Sequence, residues 1–227
     1  MKQLINHLDF FIPRYCPACN KKLALGEISI CNECLSSLKR PDSERIQAEF
    51  DRKFLSSEII SGFVSLFVFE KDKAVQSFIH SIKYNKRFLN AKYLGKSIGE
   101  NLEEQIRSWN IDYISAVPLH TLRKADRGFN QSKYIAIGIG KELNIKVKNN
   151  LLKRIRYTET QTNLTLKERV VNISNAFKAN HKKVIKSKHI LLVDDVITTG
   201  ATIRECGKAL LDAGAAKVYA CSAAIAE

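Results

Sequence analysis

The chain has no long apolar run. Nothing in its 227 residues approaches the roughly 20 consecutive apolar residues a transmembrane helix needs, so no membrane insertion is expected. Residues 1 to 12 carry His7 and Asp9, lack an extended apolar region and show no cleavage pattern, so no secretory signal is read there. Internal repeats and low-complexity segments are also missing. Carboxylates are scarce: 23 Asp and Glu stand against 37 Lys and Arg, a formal charge of +14. Such an excess points to a polyanionic partner. The length allows one substantial core plus a small appendage.

The most informative stretch is HILLVDDVITTGATIRECGKALLDAGAAKVYACSAA, from His189 to Ala224. A short apolar strand ends in Asp194 and Asp195, and a turn of Thr198, Thr199, Gly200, Ala201 and Thr202 follows. Ile203, Ala209, Leu210 and Leu211 then recur at helical spacing, with Gly214 where a C-cap belongs. A second apolar strand, Val218 to Ala223, completes a βαβ unit. Open α/β sheets bind ligands at the carboxyl ends of such strands. A loop entering a helix offers backbone N–H groups and the positive end of the helix dipole to a phosphate. The threonines add donors. The loop is neither a GxxxxGK[ST] string, since the lysine is missing, nor GxGxxG. Acceptor-only carboxylates suit a sugar diol. Together these residues fit a phosphorylated ribose, against the plainer alternative of a solvated, self-capping turn.

Six cysteines divide into four and two. Cys16-Pro-Ala-Cys19 and Cys31-Asn-Glu-Cys34 are two CxxC pairs separated by eleven residues. Four thiolates at this spacing make a closed tetrahedral Zn²⁺ site, structural because no position is left for water. Disulfides or incidental thiols are the alternative, and a reducing cytosol disfavours disulfides. Cys206 and Cys221 read as core residues.

Residues 1–40 are thus expected to form a zinc-ribbon-like module, 41–57 a linker or exposed helix around Pro41, and 58–227 the main domain. Within it, Ile59 to Phe69 is β-prone, Lys73 to Gln105 follows helical periods interrupted around 83–87, and Ile111 to Val117 is a strand stopped by Pro118. Gln131 to Leu143 reads as a buried helix. Basic residues cluster. Lys178 to His189 holds five lysines and no acid; Lys71 to Lys96 holds seven basic residues against Asp72, with Phe78, Tyr84, Phe88 and Tyr93 interleaved. Aromatics among cations suit single-stranded nucleic acid, with Lys83, Lys86 and Arg87 as candidate contacts. The alternative is core aromatics with snorkelling lysines.

Two more segments carry chemistry. After the strand ending at Val117 come Pro118, Leu119 and His120, then Arg123, Lys124 and RGFNQ (Arg127 to Gln131), a second anion-binding position on the same sheet edge. From Leu152, LLKRIRYTETQTNLTLKERVVNISNAF is polar and basic; it suits a mobile loop at about 153–170 bearing Arg154, Arg156, Thr160, Gln161 and Arg169, or simply a surface loop with a charged helix.

LLVDDVITTGAT resembles the 5-phosphoribosyl 1-pyrophosphate (PRPP) signature of type I phosphoribosyltransferases. The paired CxxC motifs, VPLH…RGFNQ and the TxTQ-containing segment, in that order, make the whole chain similar to the ComF family of competence proteins. The resemblance implies an α/β fold, a type I phosphoribosyltransferase-like parallel sheet with helices on both faces. It implies that Asp194 and Asp195 hold the ribose hydroxyls, that Thr198, Thr199, Gly200, Ala201 and Thr202 hold the 5′-phosphate, and that Leu119, His120, Arg123 and Arg127 face pyrophosphate, with Mg²⁺ accompanying PRPP. The 153–170 loop would close over it. The implied role is cytoplasmic handling of incoming single-stranded DNA in natural transformation, with a DEAD-type helicase and recombination proteins as partners. The alternatives are an active phosphoribosyltransferase acting on a base or amine, and a PRPP-responsive nucleic-acid regulator. A glutamine-dependent amidotransferase is disfavoured because Lys2 stands where a nucleophilic cysteine belongs. No catalytic residue is assigned.

Overall fold

The computed structural model describes residues 13–71, 73–84, 88–120, 128–156 and 175–226. Two short helices open the described chain. In α1 (Asn32–Ser36) Cys31 is the N-cap, and α2 (Ser43–Lys53) starts at Asp42, whose carboxylate accepts from Arg45 N–H at 2.8 Å. The strand β1 (Phe63–Phe69) follows, then the helices α3 (Ala74–Tyr84), α4 (Phe88–Asn101) and α5 (Glu103–Ser108). Next come β2 (Tyr113–Ala116) and α6 (Gln131–Leu143), then the antiparallel pair β3 (Leu152–Arg154) and β4 (Phe177–Ala179). A short helix α7 (Lys182–Ile185) leads to β5 (His189–Ile197), α8 (Ala201–Asp212) and β6 (Lys217–Ala226).

The main sheet has strand order β1-β6-β5-β2 and every pairing is parallel. Parallel strands need both faces covered, which explains their continuous apolar runs. Alternation along each strand sorts the side chains into two cores. Val64, Leu66, Leu191, Val193, Ile114 and Cys221 point to one, packed with Phe78 of α3, Leu94 and Ile98 of α4, and Ile135 and Ile139 of α6. Phe63, Ile190, Leu192, Val218 and Ala220 point to the other, with Ile203, Cys206 and Leu210 of α8 and with Phe54. The expected parallel sheet with helices on both faces is present.

On the first face α4 and α6 lie backbone to backbone. A Cβ on Gly95 would overlap the carbonyl of Ile135, and one on Gly138 the carbonyl of Lys92. Glycine alone permits this approach, and it sets which residues of the two helices meet.

Three expectations change in detail. The 41–57 stretch is a helix whose Glu49 and Lys53 are buried and whose end, Phe54, is fully enclosed in the second core. It packs against the sheet because Ile46, Phe50 and Phe54 fall on one helical face. The cysteine segment also joins the main body: Leu23, Ile30 and Leu38 belong to the first core beside Leu66 and Phe67. Finally, the polar segment read as a loop from about 153 begins as strand: Lys153 and Arg154 lie in β3, because Leu152, also on β3, buries against the second core and pairs with Ala179. Among the described residues, no helix is long and apolar enough to cross a membrane.

Candidate functional site

The strand bearing the two acids outruns its neighbour. The β2–β5 ladder ends at the pair Ala116–Val193, whereas β5 stays paired with β6 as far as Ile197–Ile225. Pro118, lacking an N–H, cannot extend β2. The strand read from the sequence as ending in the acids runs on to Ile197, so the acids sit within β5, and they lie just past the end of β2 where a crevice opens. Asp194 Oδ1 accepts from Ser132 Oγ at 2.9 Å and from Asp195 N–H at 2.9 Å. Asp195 Oδ1 accepts from Val196 N–H at 2.8 Å. Both residues remain partly exposed.

The turn after β5 enters α8 through Gly200, which adopts φ +73° and gives no side-chain cap. Thr199 Oγ1 accepts from Ala201 N–H at 3.3 Å. Residues 197–203 and Asp194 enclose a space of about 30 Å³, lined by polar groups. The loop is braced from behind. A Cβ on Gly200 would come 2.7 Å from Cε1 of Phe54, and Arg204 donates to the carbonyls of both Thr199 and Lys53. Lys53 in turn donates to Ala226 O at 3.0 Å and pairs with Glu49 at 2.9 Å. Burial lowers the Lys53 pKa in spite of Glu49, while the two cations beside Glu49 outweigh its burial and hold its carboxyl below the ordinary value. Cys206 is wholly buried; burial, with the Asp194 charge, pushes its thiol well up, so it stays a neutral core residue. Cys221 is likewise buried and pushed up by burial.

The segment after β2, read from the sequence as a second anion-binding position, meets the same crevice. Leu119 and His120 are partly exposed at the end of β2; Arg123 and Arg127 lie outside the described residues. Asn130 donates to Val117 O at 2.9 Å and accepts from Ser132 N–H at 3.1 Å, so one side chain ties the end of β2 to the start of α6. Arg154 lies over the Phe177 ring at 5.4 Å, at the foot of the third segment, and Arg156 is exposed beyond it. Thr160, Gln161 and Arg169 lie outside the described residues, as do Lys86 and Arg87; Lys83 falls near the end of α3. Of the aromatics interleaved with these cations, Phe78 is fully buried in the first core and Phe88 is exposed. Phe78 is therefore a packing residue, because the apolar face of α3 must cover β1.

The four N-terminal cysteines converge. The sulfurs of Cys16, Cys19, Cys31 and Cys34 lie within 4.8 Å of one another, and Cys19 and Cys31 are 3.6 Å apart. Ligands about 2.3 Å from a tetrahedral zinc sit roughly 3.8 Å from each other, so this cluster could hold such an ion. The turns supply donors: Cys34 N–H reaches Cys31 Sγ at 3.4 Å. Burial would raise Cys16, but backbone N–H groups around Cys31, Cys19 and Ala18 outweigh it and bring its thiol to about 7. Cys34 is pushed up by burial and by the neighbouring sulfurs. A cation at the centre would favour all four thiolates.

Ser132, Phe54 and Arg204 escaped sequence reading, and so did the capping role of Asn130 within the RGFNQ run. Asn130 had a usable signal, an amide residue just before a helical period. Ser132, Phe54 and Arg204 act through contacts 62 to 151 residues away in the chain or against a glycine, and no local pattern marks them.

Residues 134–225 match the phosphoribosyl transferase domain family. Competence protein F of Haemophilus influenzae is 39% identical over 106 residues, a match spanning 46% of each chain and thus about half the length of that relative. The DNA utilization protein YhgH of Escherichia coli is 29% identical over 219 residues, covering 91% of this chain and 95% of that one. Competence protein ComFC of Streptococcus pneumoniae is 27% identical over 197 residues, covering 83% and 84%. Among solved structures, glutamine PRPP amidotransferase from B. subtilis superposes with a TM-score of 0.40 at 24% identity, over 59% of this chain and 26% of that one.

Proposed function

We propose that this chain, with its phosphoribosyl transferase domain and its competence and DNA utilization relatives, is a ComF-family protein that handles incoming single-stranded DNA in the cytoplasm during natural transformation and binds PRPP. The observation behind the PRPP site is the meeting, at the end of β5, of two part-exposed carboxylates with a hydroxyl-rich helix entry. Asp194 and Asp195 accept hydrogen bonds from the ribose 2′ and 3′ hydroxyls, and Ser132 keeps the first acid in place. Thr198, Thr199, Gly200, Ala201 and Thr202 receive the 5′-phosphate, with the α8 dipole behind them. Leu119, His120, Arg123 and Arg127 face the pyrophosphate, and the segment bearing Arg154, Arg156, Thr160, Gln161 and Arg169 covers it. Mg²⁺, bound with PRPP, supplies charge neutralisation at the pyrophosphate. The four cysteines hold a structural Zn²⁺. The family resemblance adds a DEAD-type helicase and recombination proteins as partners.

Calorimetry with PRPP and Mg²⁺ tests the site. Wild type should bind, and Asp194→Ala/Asp195→Ala should not; equal binding by both would remove the assignment. Binding of single-stranded DNA should fall steeply with salt, by about 0.7 log units per decade for each phosphate neutralised. The second reading is an active transferase passing phosphoribose to a base or amine, favoured by the near-complete set of ribose- and phosphate-facing groups. It requires Mg²⁺-dependent release of pyrophosphate from PRPP when an acceptor is present. Stable PRPP across bases, amines and DNA would reject it. A shift of DNA affinity on adding PRPP would instead mark a regulator.

A further inference from the structure

We propose that Phe88, Tyr134 and Phe129, flanked by Lys92 and Lys133, form the platform on which the bases of single-stranded DNA stack. The proposal rests on the DNA-handling reading and says where on the molecule the strand lies. The close approach of α4 and α6 at Gly95 and Gly138 sets Phe88 and Lys92 beside Tyr134. The Phe88 and Tyr134 rings lie 5.4 Å apart with a 38° tilt, and Phe129 meets Tyr134 edge-on at 5.4 Å. Lys92 Nζ sits 5.8 Å above the Tyr134 ring. Phe88 is 44% exposed and Leu89 61%, so apolar surface stands open at the start of the helix that carries Lys92. An isolated exposed apolar residue needs no explanation, but Phe88 continues into the partly buried rings of Tyr134 and Phe129 with Lys92 above them.

A cavity of about 300 Å³ opens in the wall of this platform, lined by Pro118, Leu119, Phe129, Asn130, Tyr134 and Asn149. Its polar content is specific. Asn149 Oδ1 is buried there and has no hydrogen-bond partner among the described residues. A buried acceptor left unpaired costs about 1–3 kcal/mol, and a rotation of the Asn149 amide toward the cavity would let a donor bound there remove that cost. A splayed nucleobase offers both a π-face for the rings and N–H groups for the amide oxygen. In a duplex those faces and edges are hidden. The charge agrees: Lys71 to Lys96 carries seven basic residues against one acid, and the chain carries +14. Lys92 and Lys133 then take the phosphates between stacked bases. The platform adjoins the ribose crevice through Asn130 and Ser132, so the strand and PRPP share the N-terminal end of α6.

Fluorescence anisotropy with a labelled oligothymidylate tests the platform. Phe88→Ala is expected to bind roughly 5- to 100-fold more weakly with an unchanged salt slope, because stacking involves no counterion release. Lys133→Ala should lower the salt slope by about 0.7. Phe88→Trp should bind like wild type and lose indole fluorescence as bases stack on it, which excludes misfolding as the cause of the alanine result. An abasic phosphodiester of equal length should bind wild type no better than the oligothymidylate binds Phe88→Ala. No binding of the oligothymidylate by wild type at low salt would remove the DNA-handling reading itself. Salt-sensitive binding that Phe88→Ala leaves unchanged, or equal affinity for the abasic strand, would overturn the platform and leave that reading standing.

Discussion

Replacing Gly200 by alanine tests whether the loop between β5 and α8 is wedged against the helix before β1. Two costs add at this position. Gly200 has φ +73°, where an L side chain is strained by about 1–2 kcal/mol. Its new Cβ would also stand 2.7 Å from Cε1 and 3.1 Å from Cζ of Phe54, a ring with no exposed surface and so no room to retreat. Overpacking of that kind costs about 1–3 kcal/mol. The expected destabilisation of Gly200→Ala is therefore about 2–5 kcal/mol. Gly214 separates the two terms. It has φ +94°, yet its nearest heavy atom to an added Cβ lies at 3.7 Å, so Gly214→Ala should cost only the strain, about 1–2 kcal/mol.

Urea unfolding of both variants, with metal concentration held constant, measures the difference. A double-mutant cycle completes the test. In a Phe54→Leu background, with its own cavity cost accounted for, Gly200→Ala should fall towards the Gly214→Ala value. Equal costs for the two alanine variants, or a Gly200→Ala cost that Phe54→Leu leaves unchanged, would refute the wedge. In proteins of this size each 1 kcal/mol moves the melting temperature by about 2–4 °C, so the contrast lies well outside measurement error.

Three further outcomes follow from the same contacts. Chelation of metal, or Cys16→Ser, should lower the midpoint of one cooperative thermal transition seen by calorimetry, because Leu23, Ile30 and Leu38 share the core with the sheet; a separate early transition would show the segment to be autonomous. Burial would raise the pKa of Asp112, but Lys188 at 2.8 Å and the His189 N–H at 2.9 Å hold it below the ordinary value. Its contribution is thus present above the unfolded value of about 3.9 and lost as pH falls through the lower folded value. Asp112→Asn should be less stable than wild type at neutral pH, with the gap closing below about pH 4 in urea titrations; a gap constant with pH would reject the pairing. Ser132→Ala removes a hydrogen bond to a charged acceptor worth about 1.5–3 kcal/mol, and calorimetry should show PRPP affinity reduced by about tenfold or more. Undiminished affinity would mean that Asp194 is held without it.

Much was legible in the chain because the signals were local. Val193-Asp194-Asp195 and Thr198 to Thr202 carry strand, turn and helix entry within one dozen residues, and the paired CxxC spacing by itself brings thiolates together. Other elements were misjudged where tertiary burial overrode composition. The 41–57 stretch looks polar, and only packing of Ile46, Phe50 and Phe54 turns it into a buttress. Phe78 sits among cations in sequence yet points into the core, whereas Phe88 at the next helix start faces water.

The sequence by itself determined the βαβ unit of the acids, the thiolate quartet and the excess of positive charge, since each follows from periodicity, short-range spacing or composition, while the parallel sheet as a whole was what the family resemblance implied. Only the tertiary structure decided that β2 stops four residues short of β5, so that the acids border a crevice, and that Ser132, Phe54 and Arg204 brace them. It alone brought Phe88, Tyr134 and Phe129 together, through two glycines on different helices. The physical reason is range. A hydrogen bond or ring contact between residues tens of positions apart depends on where two packed elements cross, and neither segment carries a record of the other.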